Sequence, residues 1–188
     1  DKLEQFVKDR VKVVNIEDLQ IPFAAVATDL NWGTKVVIDR GPVARAVRAS
    51  SAIPGVFQPV QHMGKILVDG GVVDNIPISV ARAKGADIVV AVDISEHIGN
   101  KNITNIVDVI LQATNIMFAL NVEHSKQDAD VLISPAVGDV AMLDFTQKKR
   151  CMEAGIESAR LAAPGIRKAV EAWQARRRQE PRAAADVR

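Results

Sequence analysis

The sequence predicts an α/β domain built on a largely parallel central sheet, and three observations carry that expectation. Short apolar runs that suit buried strands recur at 21–30, 65–69 and 87–94. Segments with apolar residues at helical spacing alternate with them, at 41–50, 75–85 and 102–127. Two of the strand-like runs stop at an aspartate, Asp69 and Asp93, and in such sheets ligand sites gather beyond the carboxyl ends of strands.

The elements follow in order. "IPFAAVATDL" reads as a buried strand, and "NWGT" as a turn into the short strand "KVVID", which makes a hairpin. In "GPVARAVRAS", Pro42 takes a first helical position ahead of apolar residues at helical spacing. "SAIPGVFQPV" is a proline-punctuated loop, and "KILVD" is a strand ending at Asp69. Asp74 and Asn75 then cap a helix that starts at Pro77 and ends at Gly85. "DIVVAVDI" is continuously apolar, as a strand buried on both faces should be. Ile103, Ile106, Val107, Ile110, Leu111 and Ile116 give a long helix, and "ADVLISPAV" gives a last strand. Two helices, over 147–160 and 164–178, complete the series.

Bulk composition excludes several function classes. The 188 residues suit one domain, 48% hydrophobic and 25% charged, and a net charge of +1 gives no reason to expect nucleic acid as a partner. Residues 164–188 concentrate seven Lys/Arg against three Asp/Glu, and 181–188 read as a basic tail beyond a domain over 1–180. One cysteine, Cys151, rules out an intrachain disulfide. No run of 18 apolar residues is present, and "DKLEQFVKDR" is too charged for a signal peptide. A cytoplasmic or membrane-peripheral location is favoured, with the compartment left open. His62, His97 and His124 lack any metal-ligand spacing, and the phosphate-cradling glycine motifs are absent, so no metal or cofactor is expected.

The stretch "LVDGGVVDNIP" (67–77) concentrates the chemical interest. An Asp-Gly pair often marks only a turn, where Asp accepts local backbone hydrogen bonds and Gly supplies a positive φ. Here a helix follows closely, so the turn is a strand-to-helix corner. Two residues without β-carbons would also let another backbone or a ligand approach the Asp69 carboxylate.

"IPFAAVATDL", "ARAVRASSAIPGVFQPV" and "ILVDGGVVDNIPISVARAKGADIVVAVDIS" resemble consecutive blocks of the patatin-like phospholipases, lipid acyl hydrolases of plants, bacteria and animals. The resemblance is close over 21–95 and looser to about 160. It implies a three-layer α/β/α fold and a Ser–Asp dyad whose aspartate falls on Asp69. The family's serine belongs to a G-x-S-x-G elbow, and its oxyanion donors to a glycine-rich loop upstream. Neither motif occurs in this chain. Ser50, Ser51, Ser79 and Ser95 lack elbow glycines and read as structural, and the three histidines sit in no hydrolase motif.

The expectation is therefore the C-terminal portion of a serine lipid acyl hydrolase, with Asp69 as the general base. Its partner is its own N-terminal half, which supplies the serine, and it is inactive without that half. Expected contacts are a lipid or ester substrate, a peripheral membrane surface and a second copy of the chain. Asp93 and Asp29 read as loop-holding residues. The long helix reads as a core helix, with an acyl pocket, a lid or a dimer face as its other uses. Two rival functions stand beside this one: a non-catalytic α/β binding module, and an acyltransferase on the same scaffold.

Overall fold

The structure is a computed structural model that describes residues 2–99, 103–141 and 144–179. It divides into two compact units. One comprises 2–77 with 97–124, and the other 78–96 with the chain from 125 onward.

The first unit is a four-stranded sheet with helices. Its strands are β1 (Ala25–Asp29), β2 (Thr34–Ile38), β3 (Val60–His62) and β4 (Lys65–Asp69), in the order β2-β1-β4-β3. Every pair is antiparallel, which corrects the expectation of a largely parallel sheet. The cause is local. β1 and β2 are joined by a tight turn that includes Gly33 at a φ of 62°, and β3 and β4 by Met63 and Gly64 at 49° and 74°. Positive φ at both residues of a two-residue link is what the strand twist of a hairpin requires, and links this short admit only antiparallel pairing.

β1 is buried along its whole length between β2 and β4. Helix α2 (Val43–Ser50) packs beside the sheet through small side chains: Ala46 and Ala49 join Ala25, Ala27 and Leu67 in one core cluster. Small residues on both sides let helix and strand approach closely, and Val7 of α1 (Lys2–Arg10) closes the end of the cluster. The sequence reading missed β3 and began the α2 helix one residue early, because Pro42 is its cap. On the edge strand β2, Thr34, Lys35 and Val37 are exposed, and a lysine there discourages further strand pairing.

The unit's long helix spans Ile106–Ser125, and its faces carry an unusual polarity. Thr114 and Asn115, 1% and 2% exposed, turn inward together with Phe118 and Val122. Ile106, Val109, Ile116 and Leu120 lie outward at 38–70% exposure. By length and composition alone this helix could cross a membrane, but its buried polar residues seat it within the unit.

The second unit holds helix α3 (Ile78–Ala83), strands β5 (Val90–Val92) and β6 (Val131–Ile133), and helix α5 (Lys148–Gln179). The Ile106–Ser125 helix is accordingly α4 in chain order. β5 and β6 pair in parallel, the only parallel pair among the described residues. A long connection separates them, as parallel neighbours require. Arg82 fastens this unit by donating to the Asp87 carbonyl at 2.8 Å and to the Asp130 carboxylate, which also accepts the Val89 N–H at 2.7 Å. The two helices expected around Pro164 are one. Proline removes a single N–H donor, and on this exposed helix water can satisfy the Arg160 carbonyl left without it. The basic tail expected at 181–188 lies outside the described residues.

Candidate active site

Asp69 closes β4 and its backbone has no freedom. Its N–H donates to the Ala52 carbonyl at 3.0 Å, and its own carbonyl accepts from the Thr28 hydroxyl at 2.8 Å. The chain then folds at once into a 3-10 turn over Gly70–Val72, and Asp69 Oδ1 accepts the Gly71 N–H at 2.8 Å. No further hydrogen bond reaches the carboxylate from the described residues, so Oδ2 keeps its lone pairs for an incoming group.

Burial pushes the Asp69 carboxyl above its ordinary range, because the charged form loses hydration, and the Gly71 N–H partly offsets this. The other shifted aspartates move the opposite way. Asp29 is buried, but its pKa is held down by the hydrogen bond from Lys65 Nζ at 2.8 Å. Asp108, Asp130 and Asp144 are likewise lowered, each by hydrogen bonds to the carboxylate.

The two glycines after Asp69 are demanded by space. Neither has positive φ, so the conformational role a turn glycine often plays does not apply. A β-carbon on Gly70 would stand 2.2 Å from the Val26 carbonyl oxygen of β1. One on Gly71 would stand 2.8 Å from the Phe118 ring and 2.8 Å from Asn75 Oδ1. From α4, Asn121 Nδ2 donates to the Val72 carbonyl at 2.8 Å and the Gly71 carbonyl at 3.3 Å. Sequence reading did not find Asn121, since a lone asparagine on an apolar helix carries no motif.

A cleft of about 450 Å³ opens beside Asp69. Phe23 and Val47 give it apolar wall, and Ser50, Ser51, Asp69 and Asp74 give it polar groups. Neither serine hydrogen-bonds to Asp69. Asp74 differs from its expected capping role: Oδ2 pairs with Lys35 Nζ at 2.7 Å, while Oδ1 is buried with no partner among the described residues.

Residues 1–82 match the family model of patatin-like phospholipases. Over that stretch the chain is similar to the family. An NTE family protein of Mycobacterium tuberculosis is 44% identical over 95 residues, which is 50% of this chain and 26% of that protein. The patatin-like phospholipase domain-containing protein 7 of Rattus norvegicus is 36% identical over 97 residues, 50% of this chain and 7% of its own. A lysophospholipase of Saccharomyces cerevisiae is 23% identical over 177 residues, 80% of this chain and 10% of its own. The chain thus spans about a quarter or less of the length of these relatives.

The remaining residues weighed from sequence lie away from Asp69 chemistry. Asp93 Oδ1 accepts the Ser95 N–H at 2.9 Å, which is a loop-holding role. Asp29 pairs with Lys65 and accepts the Asn31 N–H. Ser79 lies within α3. His62 ends β3 and His97 is exposed, while the His124 side chain lies outside the described residues. Among the described residues no cluster of His, Cys, Asp and Glu has the arrangement of a metal site.

Proposed function

We propose that this chain carries the general base of a serine lipid acyl hydrolase, of the phospholipase A or esterase type, and that the base is Asp69. The observation that supports it most is the Asp69 carboxylate itself. It is half-buried at a strand end, fixed by Gly71, raised in proton affinity, and open through Oδ2 to a cleft.

In this reading a serine from a G-x-S-x-G segment outside residues 1–188 enters the cleft. Asp69 takes the hydroxyl proton as the oxygen attacks the ester carbonyl carbon. The tetrahedral intermediate collapses, and the departing alcohol takes that proton from Asp69, leaving the serine acylated. Water then attacks the acyl carbon and gives a proton to Asp69, which returns it to the serine as the acid leaves. An ordinary aspartate, with a pKa of about 3.9, is a weak base for this step. Desolvation moves Asp69 in the useful direction. Backbone donors to the oxyanion, worth about 3–4 kcal/mol each, belong to the same outside segment.

Lipid esters are the substrate class in view. The relative from Rattus norvegicus is named for a patatin-like phospholipase domain and the one from Saccharomyces cerevisiae as a lysophospholipase, which supports that class. The three-layer arrangement implied by the resemblance is part of the same proposal, and the exposed apolar stripe of α4 is the surface a peripheral membrane contact would use. The test is hydrolysis of a nitrophenyl ester by the complete protein and by its Asp69→Asn variant. Loss of turnover with an unchanged circular dichroism spectrum supports the reading; turnover within a few-fold of wild type refutes Asp69 as the base.

A further inference from the structure

We infer that Asn121 of α4 is a positioning residue for Asp69, acting through the backbone of the turn that follows it. The inference rests on Asp69 as the base and adds what holds that base in place.

The argument starts from the hydrogen bond that Asp69 Oδ1 accepts. Its donor is the Gly71 N–H at 2.8 Å, so the orientation of that peptide sets the orientation of the carboxylate. The turn is a single 3-10 stretch, Gly70–Val72, and a stretch this short has few bonds of its own. Within it, the Gly70 carbonyl accepts from the Val73 and Asp74 N–H groups at 3.1 and 2.8 Å. The next two carbonyls, of Gly71 and Val72, are the ones that Asn121 Nδ2 holds.

Asn121 thus fixes the peptides immediately after the Gly71 N–H, on both sides of Val72. Phe118, one helical turn earlier on α4, closes on Gly71 from the same side, near enough that no β-carbon fits. Val26 does the same to Gly70 from β1. Between the strand and the helix the turn has one arrangement, and the Gly71 N–H points at Asp69 Oδ1.

A side chain that merely completes a helix surface would not need an amide here. Leucine at 121 would be at home on a helix whose neighbouring residues are mostly apolar, yet the residue there is a two-proton donor aimed at two carbonyls. Thr114 and Asn115 are also buried on this helix, but only Asn121 bonds to the turn among the described residues.

The experiment compares wild type, Asn121→Leu and Asn121→Gln in the complete protein. The first readout is the carboxyl carbon titration of Asp69 by nuclear magnetic resonance, its signal assigned with Asp69→Asn. In Asn121→Leu the loosened turn weakens the Gly71 donor, so the Asp69 titration midpoint moves upward. An unmoved midpoint in a folded variant overturns the inference, whether or not the protein hydrolyses esters.

The second readout is ester turnover. Asn121→Leu lowers kcat at least tenfold with KM changed less than threefold, moves the acidic limb of the pH–rate profile upward, and is partly rescued by Asn121→Gln. A purely structural role would lower thermal stability and leave both that limb and the Asp69 titration midpoint in place, which overturns the inference. If the leucine variant does not fold, Asn121→Ser, too short to span both carbonyls, is read by the same two measurements. Failure of Asp69 as the base is distinguishable, because it removes the turnover effects and leaves the titration shift.

Discussion

Gly70→Ala is the substitution that most directly tests how the turn beside Asp69 is built. The added methyl would stand 2.2 Å from the Val26 carbonyl oxygen and 2.7 Å from the carbonyl carbon, more than 1 Å inside ordinary contact. What it meets is backbone of β1, and β1 is paired on one side with β2 and on the other with β4. Relief therefore means moving a central strand, not rotating a side chain. Overpacking typically costs about 1–3 kcal/mol, and a backbone obstacle belongs at the upper end or beyond. Replacing glycine by alanine returns about 0.4–1 kcal/mol by restricting the unfolded chain. The net expectation is a loss of about 2–3 kcal/mol.

Gly71→Ala is the internal control. Its methyl meets the edge of the Phe118 ring and the Asn75 amide, which are side chains that can yield by a few tenths of an ångström. The same accounting gives a net loss of about 1 kcal/mol or less. Urea unfolding followed by circular dichroism measures both. At a slope of about 2 kcal/mol per molar, Gly70→Ala lowers the midpoint by about 1 M and Gly71→Ala by less than half of that. If Gly70→Ala unfolds within 0.5 kcal/mol of wild type, or is the milder of the two, close approach is not why glycine stands there.

Three further outcomes follow from the charges and the core. The folded-state pKa of Asp69 is raised, so its contribution to stability is present below the unfolded value of about 3.9 and is lost as pH rises through the folded pKa. Asp69→Asn should accordingly melt higher than wild type at pH 7 and lose that advantage at pH 3; an equal gap at both pH values contradicts the burial argument. Asp29 behaves with the opposite sign, since Lys65 lowers its pKa: its contribution is present above the unfolded value and lost as pH falls through the folded one. Lys65→Met should thus be destabilised in melts at pH 7 and converge on wild type near pH 2, and a pH-independent difference would mean the pair matters only for packing. Leu67 is 0% exposed at the centre of the sheet core, so Leu67→Ala should cost about 2–5 kcal/mol in urea unfolding, and a loss under 1 kcal/mol would mean the core refills the space.

How much of this was legible in the sequence differs from element to element. β1, β4, α2 and the Asp69 corner follow from apolar runs and turn residues, and they fall where expected. The parallel sheet was a wrong inference from alternation. Alternating strand and helix signals do not fix direction, and the short links at Gly33 and Met63–Gly64 decide it locally. β3 escaped because it is three residues long and its turn begins with methionine where asparagine is usual. The break at Pro164 was over-read, since an exposed helix tolerates the loss of one donor. At the site, Asp69 was legible by motif. Asp74 and Asn121 were not, because their roles depend on Lys35 and on the Gly71 and Val72 carbonyls, which lie far off in sequence.

The cleft itself poses a choice of nucleophile. Ser50 and Ser51 line it with Asp69, so a hydroxyl is already within the same space. Two features argue against either as the attacking group. Neither accepts or gives a hydrogen bond to Asp69, although Oδ2 is available. Ser50 is also the last residue of α2 and Ser51 its cap, whose N–H donates back to the Val47 carbonyl at 3.0 Å. A nucleophile elbow has the reverse arrangement, with the serine at a strand-to-helix turn, flanked by glycines and next to N–H donors for the oxyanion. A fluorophosphonate probe, which loses fluoride as an activated serine bonds to phosphorus, distinguishes the two origins. In the complete protein, peptide mapping should find the label on a serine outside 1–188, and Asp69→Asn should abolish labelling. A label on Ser50 or Ser51 would move the nucleophile into this chain and refute the division of the dyad. Labelling that persists without the Asp69 carboxylate would show that some other base activates the hydroxyl.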